Sequence, residues 1–348
     1  MAIDRIMPFE AQSSAARAAE VRFRRDLYRF RVLREPVFDD ELDGDEIIDV
    51  FRQRIADTFA DMSAISEIAH VTTALEIGAE CCQRAAAVAS AYPFRCFAAD
   101  LSLEALTAIE SYAPVLGLTV LPVRVCCDLA VLPFRTGTFD LVFGYQVFHH
   151  FERPHLIAAE VRRVNRRVLI VCDEPTARRI PPLAPQRQVM YSLAQRRKPR
   201  WRRLVEDLLL QRICNETTYG VVENERLTVD DWRGCFESLY ACDWFFGRGI
   251  AQRRRLTRAW RWSPGGLWAW LFGTNLSMIG RARDVSASAF ADEGYICPDC
   301  LQTGRAEMPL QPGPNILCCG YCSATFPIVR DIPILLPTHE RRRLYPTL

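Results

Sequence analysis

The stretch "ALEIGAECCQ", residues 74–83, reads as a short buried strand that turns at Gly78 into the helical run "CQRAAAVASAY". Such a strand–glycine–helix opening suits a doubly wound α/β fold. The glycine makes the tight turn and lets a ligand approach the backbone. The dinucleotide pattern GxGxxG is absent, so the turn does not by itself identify a ligand.

Outward from this stretch, apolar runs of strand length alternate with helical ones. "RCFAAD", "LTVLPVRV", "FDLVFGYQV" and "RRVLIVCDE" read as strands, and "LEALTAIESYA" and "PHLIAAEVRRV" as helices. Two further strands, "YACDWFFGR" and "NLSMIGRAR", follow a helix, "LTVDDWRGCFESL", with Thr228 and Asp231 at capping-box spacing. The alternation predicts an α/β architecture: a doubly wound, mostly parallel seven-stranded sheet over residues 71–285. Within it, residues 176–232 begin as a proline- and arginine-rich excursion and are expected to form a cap or insertion. Residues 1–70, Ala/Arg-rich with apolar residues at helical spacing, predict a helical N-terminal lobe. A small polar linker, "DVSASAFADEG", leads to a β-rich segment at 293–348.

The net charge of +2 gives no overall steer towards nucleic acid or a membrane surface, so any basic patch is local. Arginine supplies that charge almost alone, Lys198 being the single lysine. "MAIDRIMPFEAQ" lacks the apolar run of a signal peptide, and no uninterrupted apolar segment reaches membrane-spanning length. The expectation is a cytoplasmic protein with no transmembrane segment, whose 14 cysteines are reduced thiols or metal ligands. Cys96, Cys126, Cys127 and Cys172 lie in apolar strand-like runs and read as small core residues.

Ligands of doubly wound sheets sit at the carboxyl ends of the central strands. Glu76 and Gly78 end the first strand and Asp100 the second, where a carboxylate can accept from two ribose hydroxyls. "CDLAVLPFRTGTFDLVF" puts Asp128 at the end of the third strand, a short turn before "LPF" and the fourth. This ordered set, with "FDLVFGYQVFHHF" ending in paired histidines, resembles the class I S-adenosylmethionine-dependent methyltransferases over about residues 73–174. The resemblance implies a Rossmann-like methyltransferase fold with S-adenosylmethionine as cofactor. Gly78 would approach the methionine moiety, Glu76 would order its amino group, and Asp100 would bind the ribose. Asp128 would accept from the adenine amino group with Leu129 beside the ring, and Gln146 to His150 would line the reaction chamber. The chain departs from the pattern at Glu80 and Cys82, where the family usually has glycines, which puts cofactor binding in question.

Methyl transfer is a direct displacement that needs a base only when the acceptor must lose a proton. His149 and His150 are the catalytic candidates, because imidazole titrates near neutral pH, with Glu174 a rival at the end of the fifth strand. Paired histidines also commonly just shape a loop. No Asn-Pro-Pro-Tyr-like tetrad follows the fourth strand, so "GYQVFHHF" looks more like enzymes acting on oxygen or carbon of a small-molecule acceptor. Glu216 and Tyr219 are expected acceptor contacts. "AWRWSPGGLWAW" could line an apolar pocket, and "RRKPRWRR" could touch phosphate. A second reading has the fold catalytically silent and serving as an RNA- or protein-binding module. The acceptor and the oligomeric state stay open.

The C-terminal segment carries two CxxC knuckles, Cys297/Cys300 and Cys319/Cys322, a separation at which four thiolates can surround one zinc. Cys318 is the spare. A closed four-cysteine site has no open coordination position, so the zinc is expected to be structural. "FPIVRDIPILLP" alternates around Arg330-Asp331 as a hairpin would. Together with the knuckles it resembles the small zinc-ribbon protein that partners and activates several tRNA and translation-factor methyltransferases, here fused to the catalytic segment.

Overall fold

Strand β1 (Thr73–Ile77) is buried at every position, Thr73 and Glu76 included, as expected of a central strand. The structure, a computed structural model, describes residues 11–33, 44–177, 214–216, 219–224, 226–247, 250, 254–255, 267, 269, 271, 273–283 and 294–348. Strands β2 (Arg95–Asp100), β3 (Val123–Cys126), β4 (Phe139–Tyr145) and β5 (Asn165–Pro175) pair in parallel around β1. Of the expected strand "LTVLPVRV" only the second half is regular. A two-stranded piece follows, β6 (Cys214–Glu216) with β7 (Val221–Val222). The main sheet then gains β8 (Tyr240–Phe246), the two-residue β9 (Arg254–Arg255) and β10 (Asn275–Ala282).

The strand order is β3-β2-β1-β4-β5-β10-β8-β9, and β10 runs antiparallel to both β5 and β8. Leaving aside the short β9, this is the seven-stranded Rossmann-like methyltransferase fold. The order reverses at β1/β4, which puts a crevice over the carboxyl ends of those strands. Helix α3 (Gln83–Ala91) follows the Gly78 turn, α4 (Leu103–Leu116) follows Asp100, and α5 (Pro154–Val164) links β4 to β5. Ser102 caps α4 by accepting from Ala105 N, and Gly117 closes it at φ +69. The helix 229–236 has the expected capping box between Thr228 and Asp231.

The N-terminal lobe consists of α1 (Ser14–Tyr28), a π-helical turn at Arg29–Leu33, and α2 (Gly44–Ser63). It packs against α3 and α4, over the mouth of the crevice. Most of the expected cap, including "RRKPRWRR", and most of the tryptophan-rich run lie outside the described residues.

The C-terminal module is a four-stranded antiparallel sheet of β11 (Leu310–Gly313), β12 (Ile316–Cys319), β13 (Thr325–Val329) and β14 (Ile332–Pro333). Arg330 and Asp331 join the last two with φ of +50 and +60, the positive pair that a tight two-residue hairpin turn demands. This module docks on the β3 edge of the main sheet. Ile334 bridges Cys126 in parallel, and Leu335 N donates to Cys126 O at 2.8 Å. Nearby, Ile296 N donates to Pro133 O at 3.0 Å, with the Tyr295 ring against Phe134. Ile334, Leu335 and Leu336 are fully buried. The exposed edge of β3 is thereby covered by the chain's own C-terminus.

Candidate cofactor cavity and metal centre

The Gly78 turn retains a glycine-type backbone although two of its expected glycines are gone. Gly78 has φ +58, and a Cβ there would lie 2.7 Å from the Val147 side chain. Glu80 and Cys82 also sit at positive φ, +51 and +59, where an L-residue costs about 1–2 kcal/mol. The loop therefore keeps its shape through its contacts. The Glu80 N–H donates to Asp100 Oδ2 at 2.9 Å, and the Glu80 carboxylate meets three arginines of the N-terminal lobe. Arg24 lies at 3.0 Å, Arg54 at 3.1 Å and Arg31 at 3.6 Å. Burial opposes the charge on Glu80, but these guanidiniums outweigh it and hold the carboxyl well below its ordinary range.

The aspartates end their strands as expected. Asp100 accepts from Ser102 N at 2.8 Å and from Glu80 N, and burial, opposed mainly by Arg24, raises it to about 6. Asp128 is buried and already engaged. Arg17 of α1, only 1% exposed, donates Nε to Asp128 Oδ2 at 2.5 Å, while Ala130 N donates to Oδ1 at 2.8 Å. Arg17 also reaches Gln12 O at 2.6 Å. A carboxylate offers about four lone-pair sites, so Asp128 keeps acceptor capacity after these two bonds.

These groups surround a cavity of about 280 Å³. Gly78, Asp100, Asp128, Leu129, Gln146 and His150 all line it. Two of the residues singled out by sequence stand one layer behind. Glu76 is buried, its Oε2 accepting from Ala85 N at 2.8 Å, and burial lifts its carboxyl to about 8 against the pull of Arg84. His149 sets Nδ1 2.9 Å from Glu174 Oε2, and Glu174 also accepts from the backbone of Val147, Phe148 and His149. Burial opposes ionisation of Glu174, but His149 and these amides keep its carboxyl below the ordinary value. The His149 and His150 rings lie 4.2 Å apart.

His150 faces the cavity with Nδ1 3.0 Å from Val222 O. A carbonyl only accepts, so Nδ1 carries the proton and Nε2 keeps its lone pair. Burial, then the neighbouring His149, lowers the pKa of His150 and favours this neutral form. Tyr219 does not reach the cavity; its hydroxyl donates to Asp26 at 2.9 Å and its ring packs edge-on against Phe23. The side chain of Glu216 lies outside the described residues.

Sequence reading missed the wall that α1 contributes. Glu20, Phe23, Arg24 and Leu27 line the cavity from one face of α1, and Arg31 of the π-helical turn continues that face. Arg17, Arg24 and Arg31 recur every seven residues along it. That periodicity was visible in the sequence, but its target was not.

At the C-terminus, Cys297, Cys300, Cys319 and Cys322 bring their Sγ atoms within 4.8 Å of one another, and Cys318 stands outside the group. The Cys297–Cys322 and Cys300–Cys319 sulfurs are 3.6 and 3.8 Å apart. Tetrahedral zinc with Zn–S of about 2.3 Å requires sulfur edges of ~3.8 Å. The residues fit that ion with no fifth ligand needed.

No curated protein matches the sequence. Among solved structures, the chain is similar to magnesium protoporphyrin IX methyltransferase from Synechocystis PCC 6803 with bound S-adenosylhomocysteine. Identity there is 15% and the TM-score 0.44, covering 76% of this chain and 100% of that one. It is also similar to a chain from the complex of the Haloferax volcanii Trm112 methyltransferase activator, at 14% identity and TM-score 0.41, covering 69% and 96%. The cyclase SpnF is a further likeness, at 15% identity and TM-score 0.43, covering 78% and 97%. Residues 75–168, the span that carries Gly78, Asp100, Asp128, Gln146 and His150 together, match the family described as a methyltransferase domain.

Proposed function

We propose that the cavity binds S-adenosylmethionine and that the chain transfers its methyl group to oxygen or carbon of a small-molecule acceptor. The observation that carries this reading is the convergence of Gly78, Asp100, Asp128 and Leu129 on one cavity at the β1/β4 reversal. The cofactor, when bound, supplies a methyl group on a positively charged sulfur. The Gly78 turn, which lines the cavity, admits its amino-acid end, Asp100 takes the ribose hydroxyls, and Leu129 with the remaining capacity of Asp128 takes the base. Glu80 does not oppose this placement, because Arg24, Arg31 and Arg54 neutralise it.

For a hydroxyl acceptor, His150 is the base: its Nε2 lone pair takes the hydroxyl proton, while the cofactor, when bound, would supply the methyl group. His149 and Glu174 are positioning residues behind it: Glu174 holds the His149 ring by a hydrogen bond, and that ring packs at a tilt against His150. A single general base of this kind contributes roughly 10²–10⁴ in rate. The four-cysteine centre has a structural role and takes no part in the transfer.

The test is calorimetric titration of the zinc-loaded protein with S-adenosylhomocysteine, alongside Asp100→Ala. Micromolar binding, about −8 kcal/mol, that the variant loses supports the reading. No binding to folded wild-type protein overturns it.

A further inference from the structure

Among the described residues, the guanidinium of Arg84 is the cavity's uncommitted cation. Arg84 lines the cavity and lies over the Tyr145 ring, 4.2 Å from its centroid. Among the described residues no carboxylate stands within ion-pair distance of it, and its buried Nε has no hydrogen-bond partner. Glu76, the acid whose carboxyl feels its charge, is held at about 8 and is protonated at neutral pH. The other arginines on the wall are spoken for: Arg24, Arg31 and Arg54 converge on Glu80, and Arg24 also holds Glu20 at 2.7 Å.

Tyr145 itself is fixed, with its hydroxyl 3.2 Å from Asp61 Oδ2, so it offers a rigid platform. A planar guanidinium laid on an aromatic ring presents its remaining N–H fork edgewise, the geometry that receives a carboxylate with two parallel hydrogen bonds. Tyr145 ends β4 immediately before Gln146, on the side of the cavity that leads to His150.

We propose that Arg84 is the receptor for a carboxylate, and that the acceptor of the methyl transfer is a small molecule carrying that carboxylate beside its reacting hydroxyl. This deepens the reading above and rests on it for the identity of the reaction, though not for the anion site itself. The other possible source of a carboxylate is the amino-acid end of the cofactor, and the experiment separates the two.

Salicylate, its neutral analogue salicylamide, S-adenosylhomocysteine and 5′-methylthioadenosine, which lacks the amino-acid carboxylate, are titrated into wild type, Arg84→Met and Arg84→Lys. Methionine keeps an apolar stack on Tyr145. Lysine keeps the charge without the fork, and thermal melts establish that each variant is folded. The expected result is that wild type, with or without S-adenosylhomocysteine, binds salicylate at least tenfold more tightly than salicylamide. Arg84→Met abolishes that preference, Arg84→Lys retains part of it, and neither changes affinity for the two nucleosides. A tenfold loss for S-adenosylhomocysteine but not for 5′-methylthioadenosine assigns Arg84 to the cofactor and overturns the proposal. An equal loss for both nucleosides, or no wild-type preference for salicylate, also overturns it. If wild type binds neither nucleoside, the methyl-transfer reading fails while the salicylate titration without nucleoside still decides the anion site.

Discussion

Glu76 offers the sharpest test of how the cofactor's charge meets this protein. Its carboxyl is held at about 8 by burial, so at pH 7 only about one molecule in ten carries the charge. The resemblance assigns Glu76 to the cofactor's ammonium, which would favour the ionised form. Binding at pH 7 should then release close to one proton. Since the competent form grows tenfold per pH unit below 8, affinity should rise by about 1.4 kcal/mol per unit between pH 6 and 7. Free α-amino groups titrate near 7.7–8.0, so the ligand's own ammonium stays mostly protonated in that range.

The assay is titration of S-adenosylhomocysteine in buffers of different ionisation enthalpy, which counts protons directly, on wild type and Glu76→Gln. The variant should lose both the release and most of the slope. Stability has the opposite pH dependence. The folded pKa is raised above the unfolded value of 4.5, so the unfolded chain gives up its proton first and stability falls as pH rises from about 4.5 to 8. Glu76→Gln should remove that decline, worth up to ~5 kcal/mol at ~1.4 kcal/mol per pH unit. Proton release below 0.2 in wild type, with stability still falling, would refute the ammonium assignment. Glu76 would then be a structural residue that tethers α3 through Ala85.

Other outcomes follow from single contacts. Arg17→Met strands a buried Asp128 charge and should cost about 3–5 kcal/mol in urea unfolding. Adding Asp128→Asn should recover part of that loss; full additivity would show that the pair is not coupled. Glu80→Gln should raise amide exchange in α1 and α2, which the carboxylate ties to the Gly78 turn. Because the pKa of Glu80 is depressed, its stabilisation is complete above about 4.5 and is lost as pH falls, so this variant should have a flatter acid limb in denaturation between pH 5 and 3. Stripping zinc with a chelator should unfold the C-terminal module and weaken S-adenosylhomocysteine binding at least tenfold. That module holds both aspartate loops: Leu335 bonds Cys126, and the Tyr345 hydroxyl bonds Leu101 O and Leu103 N, each at 2.9 Å. Unchanged affinity in the metal-free protein would show that the loops stand without it.

What was legible in the sequence was legible for local reasons. Short apolar runs alternating with helical patterns gave the strands and helices from Thr73 to Pro175, and the two knuckles placed four sulfurs at tetrahedral separation. Strand ends located Gly78, Asp100, Asp128, Gln146 and His150, because a doubly wound sheet gathers its carboxyl ends at one crevice. The roles of Glu80 and Arg17 were not legible. In sequence Glu80 reads as a charge where a glycine belongs; in the fold it anchors arginines from two helices. Asp128 is 111 residues from Arg17, and no local pattern encodes so distant a pair. The docking of the C-terminal module on β3 is likewise a matter of which sheet edge stays open once the chain is folded. Sequence alone thus determined the sheet, the four-cysteine group and the cavity-lining loops, since each depends on residues near one another in the chain. Only the tertiary structure decided which charges neutralise each other inside the cavity, because a buried charge is governed by whatever the fold brings within a few ångströms of it.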